Sequence, residues 1–433
     1  MTSLTQSDNK LLESLKLRWQ AITRLDRGLL LLVALRIGIV LIFLLNVLPL
    51  ERRYGWYLQH GGDQEIFFDM AYAILRGEPE PELVGLGSAL VMLPFVWLAT
   101  PASTLDQSLI VPIVIINGFI LGGLSVWLVG RLAKTTLRSD RIALWSAGLW
   151  AVLPLVTYFA FFWHPESALL RSANVPKIGW LNSLSDGPAT FWVLLAATLM
   201  AANLHNDRMP GYFFKLLGAG AAMGIAFTFR VHIAPMLAVL GIYAFLAHGL
   251  RGFLVTLIGA IFTYVPQAMY NMAVFNTPVA IGYIAYGTCI EGSVVACGRA
   301  PLSFILRNLP FSPSHLIDNF AYHLGRRWWL VFPLLGATAG GLGVTWLLWK
   351  RYTWREVILI FGVPLSYAGI IAASWPSSYD PIRFSIPAMP FAIILGVLLV
   401  FTLLGKDYHA DTGHRRPGGR GQPSDSRAAP PGS

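Results

Sequence analysis

Charge is scarce in this chain. Of its 433 residues only 12% are Asp, Glu, Lys or Arg, and 22 of them are acidic. Several other patterns are missing. Strands alternating apolar and polar residues are absent, which excludes a transmembrane barrel. No internal repeat is strong enough to support an inverted-repeat transporter. His164, Glu166 and His232 stand near one another in no close-spaced ligand set, so a divalent metal remains unsupported and no cofactor is implied. The first 26 residues are polar and include Lys10, Lys16, Arg18 and Arg24, unlike a cleavable signal peptide, so the first apolar span is expected to stay in place.

What is there is hydrophobic. Apolar residues make up 55% of the chain, and runs of about 20 recur from end to end, each long enough to cross ~30 Å of hydrocarbon. In lipid such runs satisfy their backbone groups only as helices, so the expected fold is an all-α polytopic membrane protein. Spans are expected at 28–48, 108–130, 142–163, 187–204, 212–229, 232–248, 252–275, 328–349, 356–374 and 384–404. The formal charge of +10 reports which loops face the cytoplasm rather than a nucleic-acid partner. After Gly405 the chain is rich in Pro, Gly, Ser and Arg, and 405–433 is expected to be a disordered cytoplasmic tail.

Residues 84–100 are ambiguous: apolar, short, and carrying Gly85, Gly87 and Pro94. Basic residues decide the matter. If the segment does not cross, 20 Lys and Arg fall inside and 11 outside; if it does, 13 fall inside and 18 outside. The positive-inside rule selects the first arrangement. It gives ten spans in a plasma membrane, both termini cytoplasmic, with 84–100 re-entrant or interfacial. The outer face then carries a first loop of 49–107, a long loop of 276–327 and the turn at Arg230. Cys289 and Cys297 both fall in the long loop, where one disulfide or two free thiols are open.

The first outer loop concentrates the acidic residues: Glu51, Asp63, Glu65, Asp69, Glu78, Glu80 and Glu82. Within it, 63–76 reads as an amphipathic helix lying on the membrane surface, with Ile66, Phe67, Met70 and Ile74 on one face and Glu65, Asp69, Tyr72 and Arg76 on the other. Asp63 at its start fits a helix-terminal carboxylate as well as a catalytic one. Glu78, Glu80 and Glu82 read as solvated charge.

The order Asp63, Phe67, Asp69, Ala71, Leu75 and Gly77, then a Pro/Glu-rich stretch and an apolar segment with Pro94, resembles the first external loop of GT-C glycosyltransferases. The nearest branch is that of protein O-mannosyltransferases and lipid A aminoarabinose transferases. Gln64 and Phe67 stand where that branch has Glu and Tyr, and the loop lacks its Pro-Pro pair. NSLSDGPATFW with Asp186, AFTFRVHIAPML with Arg230 and IRFSIPAMPFAIIL with Arg383 resemble later segments of the same family, in order.

The resemblance implies transfer of a sugar from a polyprenyl-phosphate donor to an acceptor hydroxyl on a protein, lipid or glycan, with inversion and without a nucleotide sugar. Asp63 is the candidate general base, and partial burial among other carboxylates would raise its pKa toward neutrality. Arg230, Arg326, Arg327 and Arg383 are candidates for the leaving phosphate. Glu65 and Asp186 are candidates for orienting hydroxyls. Each has a plainer reading: Asp186 before Gly187 and Pro188 as a helix N-cap, Arg230 and Arg383 as snorkelling or headgroup contacts, Trp328 and Trp329 as an interfacial anchor. The rival classes are a transporter or flippase, which would need charges along a membrane-embedded pathway, and an O-antigen-ligase-like transferase using a lipid diphosphate, for which His315, His323 and Arg327 are the test residues.

Overall fold

The computed structural model describes residues 23–47, 63–79, 82, 84–98, 111–162, 185–202, 211–275, 278–279, 353–367 and 386–404, with 317, 318, 321 and 343 as isolated positions. Among the described residues the regular structure is helical and no strand occurs. In chain order the helices are α1 (Arg24–Ile42), α2 (Asp63–Arg76), α3 (Gly87–Leu98), α4 (Gly122–Leu137), α5 (Asp140–Phe162), α6 (Asp186–Ala201), α7 (Tyr212–Phe229), α8 (Ala234–Phe275), α9 (Trp354–Val357) and α10 (Met389–Leu403). Wider π-type turns continue α1 over Phe43–Val47, precede α4 over Val111–Leu121 and follow α9 over Ile358–Gly362.

Among the described residues four helices are long and apolar enough to cross a membrane: Arg24–Leu45, Val114–Leu137, Tyr212–Phe229 and Val231–Phe275. The last is two helical arms rather than one continuous helix. Gly249 breaks it with φ of 68°, a left-handed conformation that glycine adopts without a Cβ clash. The chain then folds back, bringing the Phe245 and Phe253 rings to 6.1 Å. The two arms, 234–248 and 250–275, coincide with the apolar segments read at 232–248 and 252–275. The expected span at 328–349 lies outside the described residues, as does the polar tail.

Helix ends follow from local chemistry. Thr23 caps α1 by accepting from the Asp26 N–H at 3.1 Å, so the helix starts one turn before the expected Gly28. The α4–α5 connection is only Arg138 and Ser139, with Arg138 left-handed at φ 57°. Lys134 and Asp140 bridge that hairpin at 2.7 Å, and Arg131 reaches Asp26 at 3.2 Å. These pairs are partly exposed, so they fix register more than they stabilise.

Two apolar clusters hold the bundle. The larger joins α1, α4, α5, α6, α7, the first arm of α8 and α10, with Trp150, Leu194, Leu240 and Phe391 among its buried side chains. The smaller joins the end of α1, α2, α3 and the end of α8 through Phe43, Phe67, Met70, Met92, Tyr270 and Phe275. Between α7 and the second arm of α8 the backbones nearly touch: a Cβ on Gly220 would strike the Thr256 carbonyl, and one on Gly224 the Ala260 carbonyl. Small residues permit this approach where lipid offers helices no hydrophobic drive to associate.

Arg36, which falls within the span expected at 28–48, is buried, and its guanidinium donates to the carbonyls of Trp150 and Ala151 at 3.3 Å each. Pro154 explains the arrangement. It has no N–H to give the Trp150 carbonyl one turn back, and Arg36 supplies a donor there instead.

Candidate functional site

Asp186 and Arg230 meet. Their side chains are 2.5 Å apart and only 2% and 6% exposed. Asp186 is the first residue of α6, after Ser185 at the N-cap position, and its backbone carbonyl accepts from the Thr190 hydroxyl at 2.6 Å. The N-cap reading of Asp186 is therefore corrected: its carboxylate partners a guanidinium. Arg230 joins α7 to the short turn Val231–Ile233 in extended conformation (φ −154°, ψ 111°), its N–H bonded to the Ala226 carbonyl at 3.0 Å. A side chain so buried and paired does not snorkel to lipid headgroups, which corrects that reading as well.

The first loop is clamped onto this turn. α2 opens at Asp63 and buries Phe67, Met70 and Ala71, leaving Asp69 and Arg76 exposed. The expected amphipathic face is thus present, with Ala71 more deeply buried than Ile74, and protein rather than the membrane surface covers it. Gly77 ends α2 at φ 74°, with its N–H bonded to the Ile74 carbonyl and that of Glu78 to the Ala73 carbonyl, both at 3.0 Å. That left-handed closure accounts for the glycine.

Beyond it, Gly85 and Gly87 lie directly on the α7 end: a Cβ at Gly85 would strike the Thr228 carbonyl oxygen, and one at Gly87 the Phe229 backbone at 2.8 Å. The Leu86 N–H donates to Gln267 Oε1 of α8 at 2.7 Å. The twelve residues of α3 rise ~18 Å, short of a bilayer core.

A cleft opens where these parts meet. Glu82, Val84, Gly85, Phe227, Val231, Tyr264, Gln267, Tyr270, Asn271 and Phe275 line it. Its polar wall is a network on the second arm of α8: Gln267 Nε2 donates to Asn271 Oδ1 at 2.9 Å, Asn271 Nδ2 to the Tyr264 hydroxyl at 3.3 Å and to the Pro278 carbonyl at 3.1 Å. Glu82 is half-buried here, which corrects its reading as solvated charge. Tyr264, Gln267 and Asn271 were missed, although their spacing of three and four on an apolar span already marks one polar helix face.

Asp186 and Arg230 are thus brought together, and the first loop is packed beside them. Asp63 and Glu65 occupy the first turn of α2, and their side chains lie outside the described part, as do Arg326, Arg327, Arg383, Cys289, Cys297, His315 and His323.

No family model matches the chain. No curated protein matches it either. Among solved structures, the crystal structure of the Archaeoglobus fulgidus oligosaccharyltransferase in the apo form is similar, with a TM-score of 0.50 and 14% identity over 87% of this chain and 51% of that chain. This chain therefore spans about half the length of that structure. At that identity the likeness concerns the fold alone, an all-α arrangement of apolar helices.

Proposed function

We propose that the protein is an integral-membrane glycosyltransferase that moves a sugar from a polyprenyl-phosphate donor to an acceptor hydroxyl at the outer face of a cell membrane. One observation supports this reading most: the buried Asp186–Arg230 pair sits at the turn onto which the acid-bearing first loop is clamped. The fold likeness to an oligosaccharyltransferase supports the same class. In this reading ten spans leave both termini in the cytoplasm, and Cys289 and Cys297 close a hairpin in the outer loop.

Asp63 takes the proton of the acceptor hydroxyl, whose oxygen forms a bond to the sugar's anomeric carbon as the bond from that carbon to the phosphate oxygen breaks. The electron pair leaves on the polyprenyl phosphate, whose growing charge arginines stabilise by paired N–H donors. Arg230, Arg326, Arg327 and Arg383 carry that role, and Glu65 orients a hydroxyl. Asp186 acts through Arg230: with its carboxylate buried against the guanidinium, it is a positioning residue rather than a sugar contact. Arg36 is tied to backbone carbonyls, which does not favour a charged conduit through the bundle.

Asp63→Asn in purified, folded protein is expected to abolish transfer from a polyprenyl-phosphate sugar. Undiminished turnover removes Asp63 from the mechanism. Activity retained in Asp63→Asn and lost in His323→Ala points instead to the lipid-diphosphate transferase.

A further inference from the structure

Two backbone groups far apart in sequence are joined across one helix. The Leu86 N–H, at the entry to α3, donates to Gln267 Oε1 at 2.7 Å. Gln267 Nε2 donates to Asn271 Oδ1 at 2.9 Å, and Asn271 Nδ2 donates to the Pro278 carbonyl at 3.1 Å. The Tyr264 hydroxyl, which accepts from Asn271 at 3.3 Å, donates to the same carbonyl at 3.1 Å. Tyr264, Gln267 and Asn271 stand at steps of three and four on the second arm of α8, so they share one face that rises ~10 Å. The relay has a fixed sense. A backbone N–H can only donate and a backbone carbonyl can only accept, so the two ends dictate which way each amide points. Turning either amide over would set one oxygen against another and one N–H against another. Gln267 and Asn271 are buried, and the cleft they line holds about 10 Å³, room for about one water. Their polar groups therefore serve one another and the two backbone ends rather than a ligand.

We infer that this relay couples the first loop to the long loop that leaves α8, so that the two take up position together, with Gln267 and Asn271 as positioning residues. If one amide is lost, the other loses the partner that orients it, and the backbone group at the far end is freed. The catalytic consequence rests on the proposed transfer reaction; the coupling itself does not. In that reaction Asp63 of the first loop takes a proton while Arg326 and Arg327 of the long loop meet the leaving phosphate. Both events belong to one transition state, so misplacing one loop against the other lowers kcat rather than raising the donor's KM.

The test uses full-length protein in vesicles, with Cys289 and Cys297 replaced by serine and a nitroxide attached at Glu78→Cys in the first loop or Val279→Cys in the long loop, both exposed positions. Gln267→Met cuts the bond to Leu86, and Asn271→Leu cuts the bond to Pro278. Coupling is reciprocal, so each variant is expected to free the label on the opposite loop as well as its own, read as loss of the immobile spectral component. If each variant frees its own loop alone, the loops are held independently and the relay is overturned; should one variant fail to fold, the other decides. Leu240→Ala, a cavity in the larger apolar cluster, is expected to lower thermal stability and free neither label. Labels freed equally by Leu240→Ala report loss of stability alone and overturn the relay as well. Gln267→Met is further expected to lower kcat for transfer from a polyprenyl-phosphate sugar by roughly ten- to a hundredfold, with the donor's KM unchanged. A raised KM with kcat intact overturns the positioning role. Coupled labels in a protein that transfers no sugar defeat the enzymatic reading and leave the relay standing. Sugar transfer with uncoupled labels does the reverse.

Discussion

Asp186 and Arg230 form a pair whose value lies in both members being present. Desolvating two charges costs about what their attraction returns, whereas removing one partner strands the other, at roughly 3–5 kcal/mol. Asp186→Asn should accordingly lower thermal stability in detergent by an amount of that order. Replacing both, as Asp186→Leu with Arg230→Met, should restore most of that stability while transfer stays lost. Activity returning together with stability would make the pair a purely structural clamp. Both residues were legible as separate candidates, one opening a span and one at a helix-pair turn. Their contact was not, because it depends on how the ends of α6 and α7 pack. Glu82 was misread for a related reason: its neighbours Glu78, Pro79, Glu80 and Pro81 read as solvated, and only the close backbone approach at Gly85 carries it into a cleft.

Among the elements, α5 depends on its neighbour. Pro154 withholds a hydrogen bond from the Trp150 carbonyl and Arg36 of α1 donates to it, so the two residues should be coupled. Arg36→Met should destabilise the wild-type helix by more than the Pro154→Ala helix, with a coupling of about 1 kcal/mol in a double-mutant thermal cycle. Strict additivity would dismiss the arrangement. The amphipathic face of α2 was readable from spacing alone, and so were the two arms of α8, separated at Gly249. The π-type stretches beside α1, α4 and α9 were not readable, since wider turns answer to tertiary packing rather than to apolar periodicity.

For the whole molecule, the second arm of α8 runs from the Gly249 turn to the cleft where the first loop is seated, so Arg251 and Glu78 belong near opposite ends of the bundle. With Cys289 and Cys297 replaced by serine, a cysteine at exposed Glu78 should react with a membrane-impermeant maleimide applied from outside intact cells, and one at exposed Arg251 only after the cells are opened. The reverse pattern would invert the sidedness drawn from the basic residues and move the proposed chemistry to the cytoplasm.

The buried ion pair also fixes a sequence of events during synthesis. Asp186 emerges from the ribosome well before Arg230, so α6 forms carrying a carboxylate whose partner has yet to be made. A lone charge in hydrocarbon is costly. An unpaired carboxylate does not bury on its own, so the opening turn of α6 is expected to pack only once Arg230 at the end of α7 has been made.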